Sequence, residues 1–149
     1  MINLDLHSYK DQLVVKKVDG NICVLGIIRK KYLVLQPEEM VRQLLIHYLI
    51  AAGYPKEKIQ VEKGINVHGL YRRFDIIVYD QHYEPFLLIE CKAHTVPIDQ
   101  KAFDQMATYN IAVKAPYLIA CNGVQTYCCK LNYLEKKFTR MKTIPAYER

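Results

Sequence analysis

Apolar residues along this chain recur with two spacings, and each spacing predicts a kind of element. Tyr71 to Asp80 and Pro85 to Lys92 are dense in Ile, Val, Leu and Phe and are joined through polar turn residues, so they read as two strands of a hairpin. Phe74 to Val78 and Phe86 to Ile89 are apolar almost throughout, as in strands covered on both faces. Ile59 to Ile65 reads as a preceding strand, with Glu62 facing solvent, that leads through Asn66 to Gly69 into the next. Pro116 to Ala120 and Val124 to Cys129 are further strands, turned at Asn122-Gly123. Two segments repeat at helical spacing instead. Between Pro37 and Ala52 the residues Val41, Leu44, Leu45, Tyr48, Leu49 and Ala52 form one stripe. Pro37 suits a first helical position, Glu38 and Glu39 complement the helix dipole, and Gly53 and Pro55 stop the helix. Between Asp99 and Val113, Asp99 can cap the helix while Phe103, Met106, Ala107 and Asn110 face inward. This helix links the Pro85 strand to the Pro116 strand, a crossover that makes the two strands parallel.

Upstream, Leu13 to Val18 and Ile22 to Leu25 flank Asp19-Gly20, a hairpin signal. The basic triplet Arg29-Lys30-Lys31 and the apolar run Tyr32 to Leu35 follow. The segment from Leu131 onward is basic and aromatic with weak periodicity, and is expected to lie along the surface or to meet a second subunit. The whole reads as α/β: a mixed β-sheet flanked by helices with an N-terminal β-hairpin extension. At 149 residues one domain is expected, with a β-rich lead-in (1–35), a core (36–130) and a tail (131–149).

Three charges interrupt the apolar hairpin. Asp75, Glu90 and Lys92 lie inside its apolar frame, where charge is costly unless paired or bound to a metal. Glu90 and Lys92 are two apart and share a strand face, and in a hairpin Asp75 reaches that face near Glu90. Two carboxylates and an ammonium converging on one edge indicate a site.

The spacing Asp-x14-Glu-x-Lys resembles the PD-(D/E)xK nuclease motif. Beyond it, Gln36 to Gln43, Arg72-Arg73-Phe74-Asp75, Ile89 to Ala93 and Asp104 to Asn110 resemble, in order, the N-terminal nuclease domain of type I restriction enzyme R subunits (the HsdR N-terminal family). The resemblance covers about Arg29 to Lys130 and implies a restriction-endonuclease-like core and Mg²⁺-dependent DNA hydrolysis, with Mn²⁺ able to substitute. It implies Asp75, Glu90 and the backbone carbonyl of Cys91 as metal ligands. A glutamate of the first helix would complete the site. Helix phase favours Glu38, at the stripe's edge, with Glu39 about 100° further round; Arg42 follows Glu38 at i+4 and could pair with it. Lys92 would orient a water or stabilise charge on the phosphate. Gln105 and Tyr109 match an accessory Gln-x-x-x-Tyr pair, which implies that Gln105 positions Lys92 or the phosphate and that Tyr109 touches the DNA backbone. Of Arg72 and Arg73, one is expected to pair with a carboxylate and one to face phosphate; Lys30 and Lys31 are further phosphate candidates. Phe74 stands where the motif's name has proline, a position that supplies no ligand.

Composition narrows this reading little. Hydrophobic residues make up 51% and charged residues 24%, which excludes a disordered chain. The net charge of +6 suits a polyanionic partner without identifying one. No apolar run is long enough to span a membrane, and Met1 to Asp5 lacks a signal pattern, so a cytoplasmic location is expected. Five cysteines without CxxC spacing suggest buried free thiols. The chain carries no Gly-x-x-x-x-Gly-Lys-Ser/Thr phosphate loop. The expectation is therefore a motorless nuclease acting on DNA, alone, as a homodimer that cuts both strands, or with separate restriction or repair subunits. The alternative is a nucleic-acid-binding module of the same fold without cleavage.

Overall fold

A computed structural model describes residues 1–67 and 69–148, with Val67 described through its backbone. The expected link from Asn66 to Gly69 includes His68, which lies outside the described residues. After a 3-10 helix at Leu6–Gln12 come β1 (Val15–Val18), β2 (Asn21–Gly26), β3 (Lys31–Val34), α1 (Pro37–Ala51), β4 (Ile59–Val67) and β5 (Leu70–Tyr79). They are followed by β6 (Pro85–Cys91), α2 (Gln100–Val113), β7 (Tyr117–Cys121), β8 (Thr126–Asn132) and β9 (Lys137–Met141). The expected N-terminal hairpin is present, with Asp19 and Gly20 at φ 50° and 81° as its turn requires. The run at Tyr32 adds a third strand, making a sheet of order β1-β2-β3.

The main sheet has the order β4-β5-β6-β7-β8-β9. Its β6–β7 pair is parallel and the other pairs are antiparallel, so the sheet is mixed as expected. The crossover through α2 sets the one parallel pair. Alternation along the central strands divides the core in two. Ile76, Val78, Leu87, Ile89 and Ile119 pack with α1, whereas Ile77, Leu88, Leu118 and Ala120 pack with Phe103 and Met106 of α2. Both helices thus cover a sheet whose central strands are buried on both faces, which is why those strands read as continuous apolar runs.

Two expectations change. On α1, Ala52 is exposed and Tyr48 half-buried, while Arg42, Gln43 and Ile46 are buried. The helix is covered on a second side, where the Ile27 N–H donates to Gln43 Oε1 at 3.2 Å, while within the stripe Tyr48 meets the Tyr9 ring edge-on. A single stripe could not foresee that. The segment after Leu131 does more than lie along the surface: Lys137–Met141 pairs with β8 as an edge strand. Tyr147 then packs against Tyr54 and Phe86, and the Tyr54 hydroxyl donates to the Pro145 carbonyl. Of the five free cysteines, four are buried and Cys129 is half-buried, as expected for unpaired thiols.

The end of α2 depends on one buried amide. Lys114 adopts φ 60°, and the Asn110 carboxamide spans the turn, donating to the Ala115 carbonyl at 2.9 Å and accepting from the Ala115 N–H at 3.0 Å. Replacing Asn110 with leucine leaves a buried backbone N–H without its acceptor, a loss on the order of 1–3 kcal/mol. Urea denaturation of Asn110→Leu should show a lower midpoint with an unchanged m-value.

Candidate active site

The site begins with a fault in the main sheet. The β4–β5 register runs from Val61↔Ile76 to Lys63↔Phe74 without pairing Glu62 with Asp75, and the β5–β6 register ends at Ile76↔Ile89. Asp75 is therefore unpaired towards both neighbours. Strand β6 continues against β7 alone, with Glu90↔Ala120 and Cys91↔Cys121. Where β5 and β6 part, the Cys91 N–H needs another acceptor, and Asp75 Oδ2 supplies it at 2.7 Å. Asp75 thus projects into the gap between the strands rather than off one face. Alternation breaks beside it, because Phe74 packs on the α2 side and Ile76 on the α1 side.

Glu90 reaches the same corner from the α2 side. It is 7% exposed; its Oε1 accepts from Arg72 Nη2 at 3.0 Å, and its Oε2 lies 3.9 Å from Lys92 Nζ. Arg72, Glu90, Lys92 and Gln105 line one narrow recess. Arg72 also lies over the Tyr109 ring, 4.8 Å from its centroid. The expected division of Arg72 and Arg73 is only partly present: Arg72 holds Glu90, and the more exposed Arg73 lies 3.4 Å from Glu62.

From the other side, α1 brings Glu38 and Arg42. Glu38 is exposed, with Asp75, Arg42 and Lys92 among its charged neighbours. Glu39 is taken up elsewhere, accepting from Gln43 at 3.0 Å and lying 3.4 Å from Arg42. The expected Glu38–Arg42 pair is not formed. Arg42 is buried and turns to Asp75 Oδ1 at 3.1 Å and Glu62 Oε1 at 2.9 Å. Glu62, expected to face solvent, is half-buried and holds Arg29, Arg42 and Arg73. Its φ of 50° explains the difference, because the left-handed residue breaks the strand's alternation and turns the side chain inward. Lys30 and Lys31 are exposed in the β2–β3 turn, and it is their neighbour Arg29 that reaches the cluster, through Glu62.

The electrostatics follow from burial and crowding. Burial pushes the Asp75 carboxyl up, against the Cys91 N–H, Arg42 and Lys92, which pull it down. Burial and the Asp75 charge raise Glu90, against Arg72 and Lys92. The same two causes raise Glu38. Around the corner five carboxylates (Glu38, Glu39, Glu62, Asp75 and Glu90) face five cations (Arg29, Arg42, Arg72, Arg73 and Lys92). Burial, and not an excess of negative charge, is therefore the first cause of each rise. Among the described residues no group of three or more His, Cys, Asp or Glu side chains is placed to hold a metal ion. Mg²⁺ does not require one, since it binds through one or two carboxylates and fills its shell with water and phosphate oxygens. The donors here are hard carboxylate oxygens, and they fit that ion. A separate, mostly apolar cavity of about 260 Å³, lined by Leu6, Met40, Leu44, His94 and Val124 among others, contains none of these charged groups.

The residues that sequence reasoning missed are Arg42 and Glu62. Arg42 carried a signal, a lone cation beside the apolar stripe of α1. Glu62 carried none, because the φ of 50° that turns it inward leaves no mark on the pattern of residue types.

Since all three carboxyls are raised, ionising them opposes folding. Their contribution to stability is fully present below the ordinary value of 4.5 for glutamate and is lost as pH rises through the raised value. Glu90→Gln should therefore melt above the wild-type protein at pH 7, with the gap closing towards pH 4. A lower melting temperature at pH 7 would mean that the Arg72 pair outweighs burial.

Comparison with known proteins places these residues in context. The profile of the family described as type I restriction enzyme R protein N terminus (HSDR_N) matches residues 37–145. No curated protein matches the chain. Among solved structures, a fragment described as the HsdR subunit of a type I restriction enzyme from Vibrio vulnificus YJ016 is similar at 15% identity and a TM-score of 0.47. That match covers 66% of this chain and 21% of the Vibrio chain, so this chain spans about a fifth of its length.

Proposed function

We propose that this chain, which belongs to the family of type I restriction enzyme R protein N termini, is a Mg²⁺-dependent DNA endonuclease that hydrolyses phosphodiester bonds. One observation carries the reading: the strands part at Asp75, with Glu90, Glu38 and Lys92 as its charged neighbours, while burial raises all three carboxyls and the Asp75 charge adds to the rise of Glu90 and Glu38. Asp75, Glu90, the Cys91 backbone carbonyl and Glu38 would hold the ion, and Mn²⁺ suits the same oxygens. Bound there, Mg²⁺ would supply Lewis-acid polarisation of the phosphate.

The chain's own residues have separate tasks. Lys92 is 39% exposed at its side chain and 3.9 Å from Glu90, placed to orient the attacking water or to meet charge developing on the phosphate. Gln105 rims the recess beside Lys92 and positions it or the phosphate. Tyr109 acts through Arg72, whose guanidinium it supports, and that keeps Glu90 oriented. Arg73, Lys30 and Lys31 face the DNA backbone. The partner is DNA, together with other restriction or repair subunits, or with a second copy where both strands are cut. Among the described residues no helix is long and apolar enough to cross a membrane.

A second reading, a nucleic-acid-binding module without cleavage, draws on a different observation. Arg42 and Arg72 already pair with Asp75 and Glu90 and do part of what a metal would do. The two readings separate on supercoiled plasmid with Mg²⁺ or Mn²⁺ against EDTA. The nuclease nicks in either metal, and Lys92→Ala lowers the rate by a factor on the order of a hundred or more. Duplex binding without nicking, by folded protein in either metal, would establish the module instead.

A further inference from the structure

Three guanidiniums from three elements converge on one carboxylate beside the proposed nuclease centre. Arg29 of the β2–β3 turn pairs with Glu62 Oε2, while Arg42 of α1 and Arg73 of β5 lie 2.9 Å and 3.4 Å from its Oε1. Glu62 sits at φ 50° where β4 and β5 skip one pairing, opposite Asp75, without a shift of register. A non-glycine residue is uncommon in this conformation, and here it brings a carboxylate between cations that would otherwise repel one another. The arginines outweigh the burial of Glu62 and hold its carboxyl below the ordinary range. Arg42, itself 6% exposed, keeps a buried Nε with no acceptor among the described residues.

We propose that Arg29, Arg42 and Arg73 form a binding site for a phosphodiester group of the DNA backbone, and that Glu62 occupies this site as an internal stand-in for phosphate until DNA displaces it. The inference rests on the nuclease reading only for the identity of the polyanion. A carboxylate and a phosphate present similar pairs of oxygens to a guanidinium fork, so the same arginines serve both. Arg73 is 58% exposed at its side chain and opens the cluster to solvent, whereas the buried Arg42 links it to Asp75 at 3.1 Å. A phosphate bound here would lie next to the scissile position and not at it. Displacing Glu62 takes one negative charge out of the DNA's path, so the exchange lowers affinity in the resting protein and makes binding selective for a ligand that engages all three arginines.

The test is fluorescence anisotropy with a labelled DNA duplex over a salt series. EDTA is present throughout, so that cleavage plays no part and failure of the nuclease reading leaves the result intact. Glu62→Gln keeps the side chain's shape without its charge. It should bind several-fold more tightly than wild type with an unchanged log K against log salt slope, because the same phosphate is neutralised in both and only the competing carboxylate is lost. Arg73→Gln, an exposed substitution that spares the fold, should make the wild-type slope shallower by about 0.9, the value for one phosphate contact. Equal or weaker binding by folded Glu62→Gln, or an unchanged slope in Arg73→Gln, would show that Glu62 merely pins the arginines and would overturn the proposal. Should Glu62→Gln fail to fold, the Arg73→Gln slope decides alone.

Discussion

The site depends on the parting of β5 and β6. Inside a sheet each backbone N–H has an acceptor on the neighbouring strand, and a separation exposes donors that must be satisfied some other way. At Cys91 the acceptor is the Asp75 carboxylate. The same bond closes the ladder and fixes the carboxylate in the opening, so backbone satisfaction and the placing of a reactive oxygen are one interaction. On the other edge β6 remains bound to β7, and the Lys92 N–H donates to the Cys121 carbonyl at 2.8 Å. Glu90 and Lys92 therefore extend from a strand that is rigid on one side and free on the other.

Around the opening, charge is arranged against solvation. The carboxyls sit where burial disfavours their ionised forms, which is unfavourable for stability and useful for binding cations. Arg42 and Arg72 offset part of that cost from opposite sides, one from α1 and one from β5 itself. Buried ion pairs of this kind contribute little net stability, because desolvation consumes most of the Coulombic gain. Their effect is to hold orientation. Arg42 touches α1, β4 and β5 through Glu39, Glu62 and Asp75, and so ties the first helix to the two strands that bound the opening. Arg29 extends the network to the small N-terminal sheet, giving that sheet a physical reason to sit beside this corner.

Family membership and chemistry enter this picture at different levels. Membership rests on sequence across residues 37–145 and accounts for the sheet, its crossover and the order of the motifs. The proposed chemistry rests on a few side chains at one corner of that sheet, and a fold alone does not assign it. At that corner Arg42 and Arg72 pair with Asp75 and Glu90, so each of the two central carboxylates already has a cation of its own chain.

By itself the sequence determined the strands, the two helices, the parallel crossover and the charged trio Asp75, Glu90 and Lys92. These depend on local periodicity, turn chemistry and the anomaly of charge within apolar runs, all visible in one dimension. It also ranked Glu38 ahead of Glu39 as the acid turned to the corner, since helical phase is a local property. Only the tertiary structure decided the partners of the arginines. Arg42 is four residues from Glu38 yet bonds Glu62 and Asp75, 20 and 33 positions away, because two-sided burial of α1 removes it from water and leaves those carboxylates within reach. Glu62 turned inward at φ 50° where β4 and β5 skip a pairing, and the tail became β9 because β8 offered an open edge. In each case the choice was made by a neighbour distant in sequence, which no local pattern encodes.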